Sequence, residues 1–266
     1  MTPVTWAPNS RAAIRLRNWQ VCAAALKSGD IGFAEGYIAG DWSTPDLAAL
    51  LKLFVANRNE IESVVYGRWW GAALYRLRHL LNRNSRAGSR KNIHAHYDLG
   101  NAFYKLWLDE TMSYSSAWFD GDPARGMVEG QLAKVRRALR EAGVAPGGRA
   151  CIQSITIRDD LFERYVRGTD FIQQYIFPGG LLPSVGVFEA EAAKHGLVVE
   201  NTFRFGADYA ETLKRWRERF MGEEARVRKL GFDTRFVRIW EFYLAYCEAA
   251  FAAGNTDVVQ FTLRKA

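Results

Sequence analysis

The sequence predicts an α/β chain in two parts, a helical N-terminal domain over residues 1–81 and a mixed domain over residues 94–266 that retains about three strands. Three observations predict this. Apolar residues recur at helical spacing through the first third of the chain. A polar, basic run, NRNSRAGSRKN, then breaks the pattern, and residues 82–93 read as a linker. Beyond it, helical runs are interspersed with only three short runs of strand character, RACIQSITI, VVENTFRFG and DVVQFTLRK.

The elements follow in order. RAAIRLRNWQVCAAALKSGD is a helix expected to stop near Gly29. STPDLAALLKLFVANRN starts with a cap signal, Thr44 before Pro45, because proline is tolerated in a first helical turn. IESVVYGRWWGAALYRLRHLLNR is a third helix, with Trp69, Trp70 and Tyr75 set among Arg68, Arg76, Arg78 and Arg83. That mixture suits a membrane interface, where rings are half buried and guanidinium groups meet phosphate, and equally suits a core helix. In the second part GQLAKVRRALREAGV, VFEAEAAKHGL, ADYAETLKRWRERFMGEEARVRKLG and DTRFVRIWEFYLAYCEAAFAAG are helical.

Composition narrows the function classes. At 48% hydrophobic and 24% charged, 266 residues can bury a core. The formal charge of +7 is concentrated in residues 1–93, which hold 13 Lys and Arg against 6 Asp and Glu. The remainder is balanced. A basic region beside a neutral one suggests an anionic partner, and an anionic membrane surface is the expected one. No nucleic-acid recognition module is present, so nucleic acid is not expected as a partner. Three scattered cysteines, Cys22, Cys151 and Cys247, suggest reduced thiols and a cytoplasmic setting. The start, MTPVTWAPNSR, lacks a signal-peptide pattern, and no run is apolar enough to span a bilayer. The expected location is therefore cytoplasmic, peripheral at the inner face of the membrane. A homodimer is left open.

HYDLGNAFYKLWLDETMSYSSAWF resembles the cyclopropane-fatty-acyl-phospholipid synthases and the mycolic acid cyclopropane synthases. The resemblance continues through QSITI, DFIQQYIFPGGLLPS, FGADYAETLKRWRERF, LGFD, FYLAYCEAAF and DVVQFTLRK, and upstream in GDIGFAEGYIAGDWSTPDL. It implies a truncated Rossmann-like methyltransferase domain that uses S-adenosylmethionine (SAM). The implied reaction is methylene transfer to the cis double bond of phospholipid acyl chains. An alkene attacks the sulfonium methyl, bicarbonate removes a proton from the resulting cation, and the ring closes. Such chemistry needs an oily slot, aromatic faces near the cation, a positioned base and exclusion of water.

The resemblance also implies site residues. Tyr114 and Ser115 match a SAM-contacting pair. Ser116, Gln153, Ile155 and Tyr209 match the bicarbonate-binding positions. Ser116 departs from the family's usual cysteine, and Gln153 stands where the best-known members have histidine. Glutamine cannot titrate, which weakens any acid–base role there. Cys247 matches a family cysteine suggested as catalytic, so the resemblance implies Cys247, Tyr209 and Gln153 as the catalytic set, with a buried structural thiol as the alternative reading of Cys247. His96 and Tyr97 open the HYD signature. Helices Phe236–Phe251 and Tyr209–Phe220, with the loop Tyr175–Pro183, are expected to line an acyl slot.

One block has no counterpart. The family's glycine loop after the first strand, its ribose-binding acid and a bicarbonate-binding glutamate are missing, and EAGVAPGGRACIQSITIRDD looks like a seam joining two similar Pro-Gly turns. No G-x-G follows a strand, since Gly147-Gly148 precede one and Gly179-Gly180 follow Pro178. The expectation is impaired activity and an open strand edge. The alternatives are an inactive lipid-binding remnant and a SAM-dependent methylase of another apolar acceptor.

Overall fold

The computed structural model describes residues 11–58, 61, 99–142 and 149–265. The expected third helix, the linker 82–93, His96, Tyr97 and most of the seam turn lie outside the described residues. β1 (Arg15–Leu16) pairs antiparallel with β2 (Trp42–Ser43) and closes the ends of α1 (Gln20–Ala39). Gly29 (φ 59°, ψ −134°) breaks α1 where a stop is expected, but the helix resumes to Ala39. Its second half has a reason to resume: Gly36 lets the Trp42 ring approach, and the indole N–H donates to the Phe33 carbonyl at 2.9 Å.

α2 (Leu47–Ala56) is capped by Asp46, not by Thr44. The Asp46 carboxylate accepts from the Ala49 N–H at 2.9 Å, while Thr44 only steadies the approach. A carboxylate two residues after Thr44 reaches the orphan donors better than the hydroxyl does. α3 (Gly100–Trp107) and α4 (Met127–Ala142) flank the SYSS loop.

The sheet has the order β3-β5-β4, from β3 (Ala150–Ile157), β4 (Leu197–Arg204) and β5 (Thr256–Lys265). Both outer strands run antiparallel to β5. β5 buries six consecutive residues, Val258 to Leu263, so it is covered on both faces. Between β3 and β4 lie α5 (Asp159–Arg167), α6 (Phe171–Tyr175) and α7 (Val185–Lys194). The first two were not anticipated from the sequence. α5 buries no residue, and α6 is a single turn held by a capping box, in which Asp170 accepts from the Gln173 N–H at 2.8 Å. The long helical run after β4 divides at Glu223 into α8 (Gly206–Gly222) and α9 (Glu224–Lys229).

α10 (Thr234–Ala252) is the spine. α8, α2, α1 and α6 all pack on it, so residues from Val21 to Val258 form one core cluster. The N-terminal helices therefore share their core with the second part of the chain. Polar ties reinforce the packing. Buried Glu248 accepts from Lys52 of α2 at 2.5 Å and from Arg217 of α8 at 3.0 Å. Tyr37 donates to Glu241 at 2.6 Å.

Glu248 holds three helices together through charge. Glu248→Ala leaves two cations facing each other without their anion, and should cost about 3 kcal/mol. Glu248→Gln, which keeps the shape and an acceptor, should cost less. Urea unfolding of the three proteins checks this; equal stability of wild type and Glu248→Ala would refute it.

Candidate functional site

The SYSS loop between α3 and α4 brings Tyr114, Ser115 and Ser116 to the core. Tyr114 packs its ring against Tyr104, Trp107 and Trp216 at centroid distances of 5.5, 5.3 and 5.5 Å. Its hydroxyl pairs with that of Tyr243 at 2.9 Å. Tyr243 and Cys247 are four residues apart on α10, so they share a face. On α8 the spacing Tyr209, Leu213, Trp216, Phe220 forms one buried stripe, and Tyr209 packs on Phe251 at 4.6 Å. Tyr114, Tyr209, Tyr243 and Cys247 lie close enough to perturb one another electrostatically. Three of the expected site residues, Tyr114, Tyr209 and Cys247, thus meet in one aromatic cluster.

Burial dominates the electrostatics there. Desolvation holds the Tyr114 and Tyr243 phenols well above their ordinary range, and pushes the Cys247 thiol far up, with Asp170 adding to the effect. All three groups are neutral at physiological pH. A thiol held protonated is a poor nucleophile, so the geometry favours the packing role for Cys247. The indole N–H groups of Trp107 and Trp216 find no acceptor among the described residues, which leaves donor capacity inside the cluster.

The other expected residues are placed differently. Ser116 is fully buried and donates to the Ala117 carbonyl at 2.7 Å. Ile155 packs against the core from β3. Gln153, on an exposed stretch of the same strand, accepts from Gln260 at 3.2 Å and so belongs to the polar layer under α4. Ser115 is held by residues that sequence reasoning passed over. Lys134 donates to its hydroxyl at 2.6 Å, and Gln131 donates to its carbonyl at 2.7 Å. Burial lowers the Lys134 ammonium to about 8, with Asp109 opposing. The available signal was two polar residues, Gln131 and Lys134, at i and i+3 on the face of α4 that must meet the sheet. The expected slot elements do meet. Phe177 packs on Tyr243 at 6.2 Å, and Tyr175 stacks on Phe171, which packs on Phe242 at 4.7 Å.

A second polar group lies beside Cys247. Asp30, at the break in α1, accepts from the Tyr246 hydroxyl at 2.8 Å and from the Phe171 N–H at 3.3 Å. Asp170 precedes Phe171 in sequence and lies close enough to Asp30 to feel its charge. Burial raises both carboxyls, Asp170 to about 6, and for Asp170 the nearby Asp30 adds to the rise.

Neither strand-to-helix connection forms a glycine cradle. β3 passes to α5 through Arg158, and the first turn of that helix carries Asp159 and Asp160. β4 passes to α8 at Gly206, whose N–H donates to Asp257 at 2.8 Å, and a Cβ there would meet the Asp257 carboxylate at 2.5 Å. That glycine serves close packing against Asp257. Neither of these two connections presents the open backbone N–H groups at a helix start that a nucleoside cradle uses. The described residues also form no metal-binding cluster.

Solved structures share this fold. A cyclopropane synthase from Mycobacterium tuberculosis matches with a TM-score of 0.60 at 19% identity, over 69% of this chain and 100% of that one. Coclaurine N-methyltransferase, solved with N-methylheliamine and SAH, matches with a TM-score of 0.56 at 12% identity, over 90% and 99%. The fold is thus that of the methyltransferases, in a shortened form. The family model described as mycolic acid cyclopropane synthetase matches residues 84–150 and 143–261, and the chain belongs to that family. A tuberculostearic acid methyltransferase of M. tuberculosis is 29% identical over 339 positions, covering 89% of this chain and 79% of the relative. A cyclopropane-fatty-acyl-phospholipid synthase of Escherichia coli K12 is 25% identical over 346 positions, covering 94% and 87%. Both alignments are longer than the 266-residue chain, so both relatives carry sequence that it lacks. The two family matches overlap at residues 143–150, the place of the sequence seam.

The Asp170 prediction has a definite sign. Its folded value is raised from 3.8 to about 6, so between those values the folded chain holds a proton that the unfolded chain has released. Stability is therefore full below that window and falls as pH rises through it. Asp170→Asn keeps an N-capping oxygen while removing the charge. It should flatten the fall and raise stability at pH 7 by roughly 1–3 kcal/mol. Urea midpoints from pH 4 to 8 test this, and an unchanged slope in the variant refutes it.

Proposed function

We propose that this chain derives from SAM-dependent enzymes that add a methylene group across the cis double bond of phospholipid acyl chains, and that it is impaired in that transfer. The observation that carries the reading is the pairing of a retained aromatic cluster with a missing donor cradle. Tyr114, Tyr209, Tyr243, Trp107 and Trp216 supply the dry, aromatic surroundings that an acyl chain and a passing cation require. The strand-to-helix connections supply no glycine turn for SAM. Bound SAM would provide the sulfonium methyl, and the matching positions Tyr114 and Ser115 would be its remaining contacts. Those two are committed elsewhere, Tyr114 to Tyr243 and Ser115 to Lys134. The bicarbonate set is divided as well, with Tyr209 in the cluster and Gln153 bonded to Gln260. Orientation of the reacting centres supplies much of the rate in such transfers, and here that orientation is what is lost.

A second reading, a methylase of an apolar acceptor other than a cyclopropane precursor, draws on the 29% identity to the tuberculostearic acid methyltransferase. One experiment covers both. The purified chain is incubated with SAM and phospholipids carrying cis-monounsaturated chains, and the acyl products are resolved by mass spectrometry. The expected outcome is no cyclopropane product above a no-enzyme control. Cyclopropane turnover refutes impairment, and a methyl-branched product establishes the second reading.

The location follows from charge. We place the chain at the inner face of the membrane, held by the basic first 93 residues with their net +7. No helix among the described residues is long and apolar enough to cross a membrane. Binding to vesicles containing anionic lipid should weaken as salt rises, since screening acts over ~10 Å at 0.1 M. Equal affinity for neutral and anionic vesicles would refute this.

A further inference from the structure

The sheet is open on one side, and the opening is apolar. Among the described residues β3 is an edge strand that forms a ladder only with β5. Its last residue is covered, because the Ile157 N–H donates to the Pro183 carbonyl at 3.0 Å. From Ala150 to Thr156 the edge carries no charge, no proline and no bulge, the devices by which proteins usually blunt such an edge.

α4 adds a second surface on the same side. Its inner face is fixed by Gln131 and Lys134, and one flank is fixed by Arg137. The Arg137 guanidinium lies 3.7 Å over the Phe203 ring of β4 and donates to Gln260 of β5 at 3.0 Å. At about 100° per residue, Leu132, Val135 and Leu139 fall on the flank opposite Arg137. That flank faces the open edge of β3. The three side chains are 42%, 46% and 59% exposed, in a row at i, i+3 and i+7. Such a stripe is ordinarily covered.

We propose that a second copy of this chain covers it, by antiparallel pairing of β3 with β3 of the partner and packing of α4 against its counterpart. The register supports one two-fold axis through both contacts. Gln260, opposite Gln153, is bonded by Arg137 and donates to the Lys134 carbonyl, so the middle of α4 stands over the middle of β3. Further along, Thr262, opposite Cys151, meets Glu141 at 3.4 Å. An axis normal to the sheet beside Gln153 and Ser154 therefore also passes beside Val135. The spacing agrees. α4 lies over β3 and β5, so with strands about 4.8 Å apart the two α4 axes would stand roughly 10 Å apart. Packed helices stand about 8–10 Å apart. The charges are partly complementary, with Arg136 beside Val135 the one like-charged pair brought near the axis. The strands are uncharged, and antiparallel helices bring Glu129 of one copy toward the Arg140 end of the other. The product is a continuous six-stranded sheet with an isologous interface.

The full chain is tested by size-exclusion chromatography with light scattering, between about 1 and 50 μM, together with Val135→Arg, Leu139→Glu and a control, Val166→Arg on exposed α5. The expected result is twice the 30.2 kDa chain mass for wild type and control. Each interface variant should weaken association on the order of 100-fold, with unchanged far-UV circular dichroism. Cross-linking does not depend on a disruptive substitution. In a background with Cys22→Ser and Cys151→Ser, Val135→Cys should join two chains through a short bis-maleimide, whereas Val166→Cys should not. A monomeric wild type at 50 μM overturns the proposal, as does a dimer that survives both interface substitutions or the absence of the Val135→Cys cross-link. A monomer that instead captures a different protein on this edge overturns it as well.

Discussion

Helix α10 has almost no face turned to solvent, and the rest of the molecule is arranged around that constraint. It buries Val237, Trp240, Phe242, Tyr243, Leu244, Ala245, Ala249 and Phe251, and with them the carboxylate of Glu248. A helix enclosed to that extent must find an internal partner for every polar group it carries inward. The partners come from four different parts of the chain. Glu248 takes Lys52 and Arg217, Glu241 takes Tyr37, Tyr246 takes Asp30, and Tyr243 takes Tyr114. These bonds join α1, α2, α8 and the SYSS loop to one axis. The N-terminal helices are therefore part of the core, and the tyrosine cluster is a by-product of satisfying α10.

How much of this was legible in the sequence depended on what each signal reports. Periodicity reports burial of one face, so α4, α7, α8 and α10 were readable, and the three β-rich runs became the three strands. α5 half-buries only Leu161, Phe162 and Tyr165 in a nine-residue helix, and α6 is one turn held by a side-chain cap, so both were passed over in the sequence. The Asp46 cap was obscured because Thr44-Pro45 is itself a plausible start; geometry alone decides which oxygen reaches the Ala49 N–H. At the site, Tyr114, Tyr209 and Cys247 were chosen by resemblance and do converge. Lys134, Gln131, Asp30 and Asp170 were not chosen, because a buried polar residue looks like a surface one until its partners are known.

The sheet shows what a shortened fold must manage. In a larger doubly wound sheet, interior strands are covered on both faces and edges are few. Here only β5 is interior, and both of its neighbours are edges. β4 carries a register irregularity between Val199 and Asn201 and ion pairs from Glu200 to Arg149 and Arg264, which make it a poor template for further pairing. β3 has no such protection. The asymmetry between two edges of one small sheet places the exposed apolar surface on the strand that directly follows the overlap of the two family matches at residues 143–150.

The two halves of a transferase site are held by different physics, so on the reading proposed above one half could be lost while the other persists. An acyl chain is held by dispersion and by exclusion of water, summed over many side chains from several helices. Those same side chains form the core of this protein, so folding itself preserves them. A nucleoside-bearing donor is held by a few backbone N–H groups at a single glycine turn. No core residue depends on that turn, so its removal spares the packing that folds the chain. In this protein the aromatic cluster around Tyr114 and Trp216 is inseparable from the burial of α10, whereas the strand-to-helix connections are occupied by Asp159, Asp160 and the Gly206–Asp257 contact. On the reading proposed above, stability would keep the acceptor side intact whether or not catalysis requires it, and an intact aromatic cluster is by itself evidence of folding rather than of turnover.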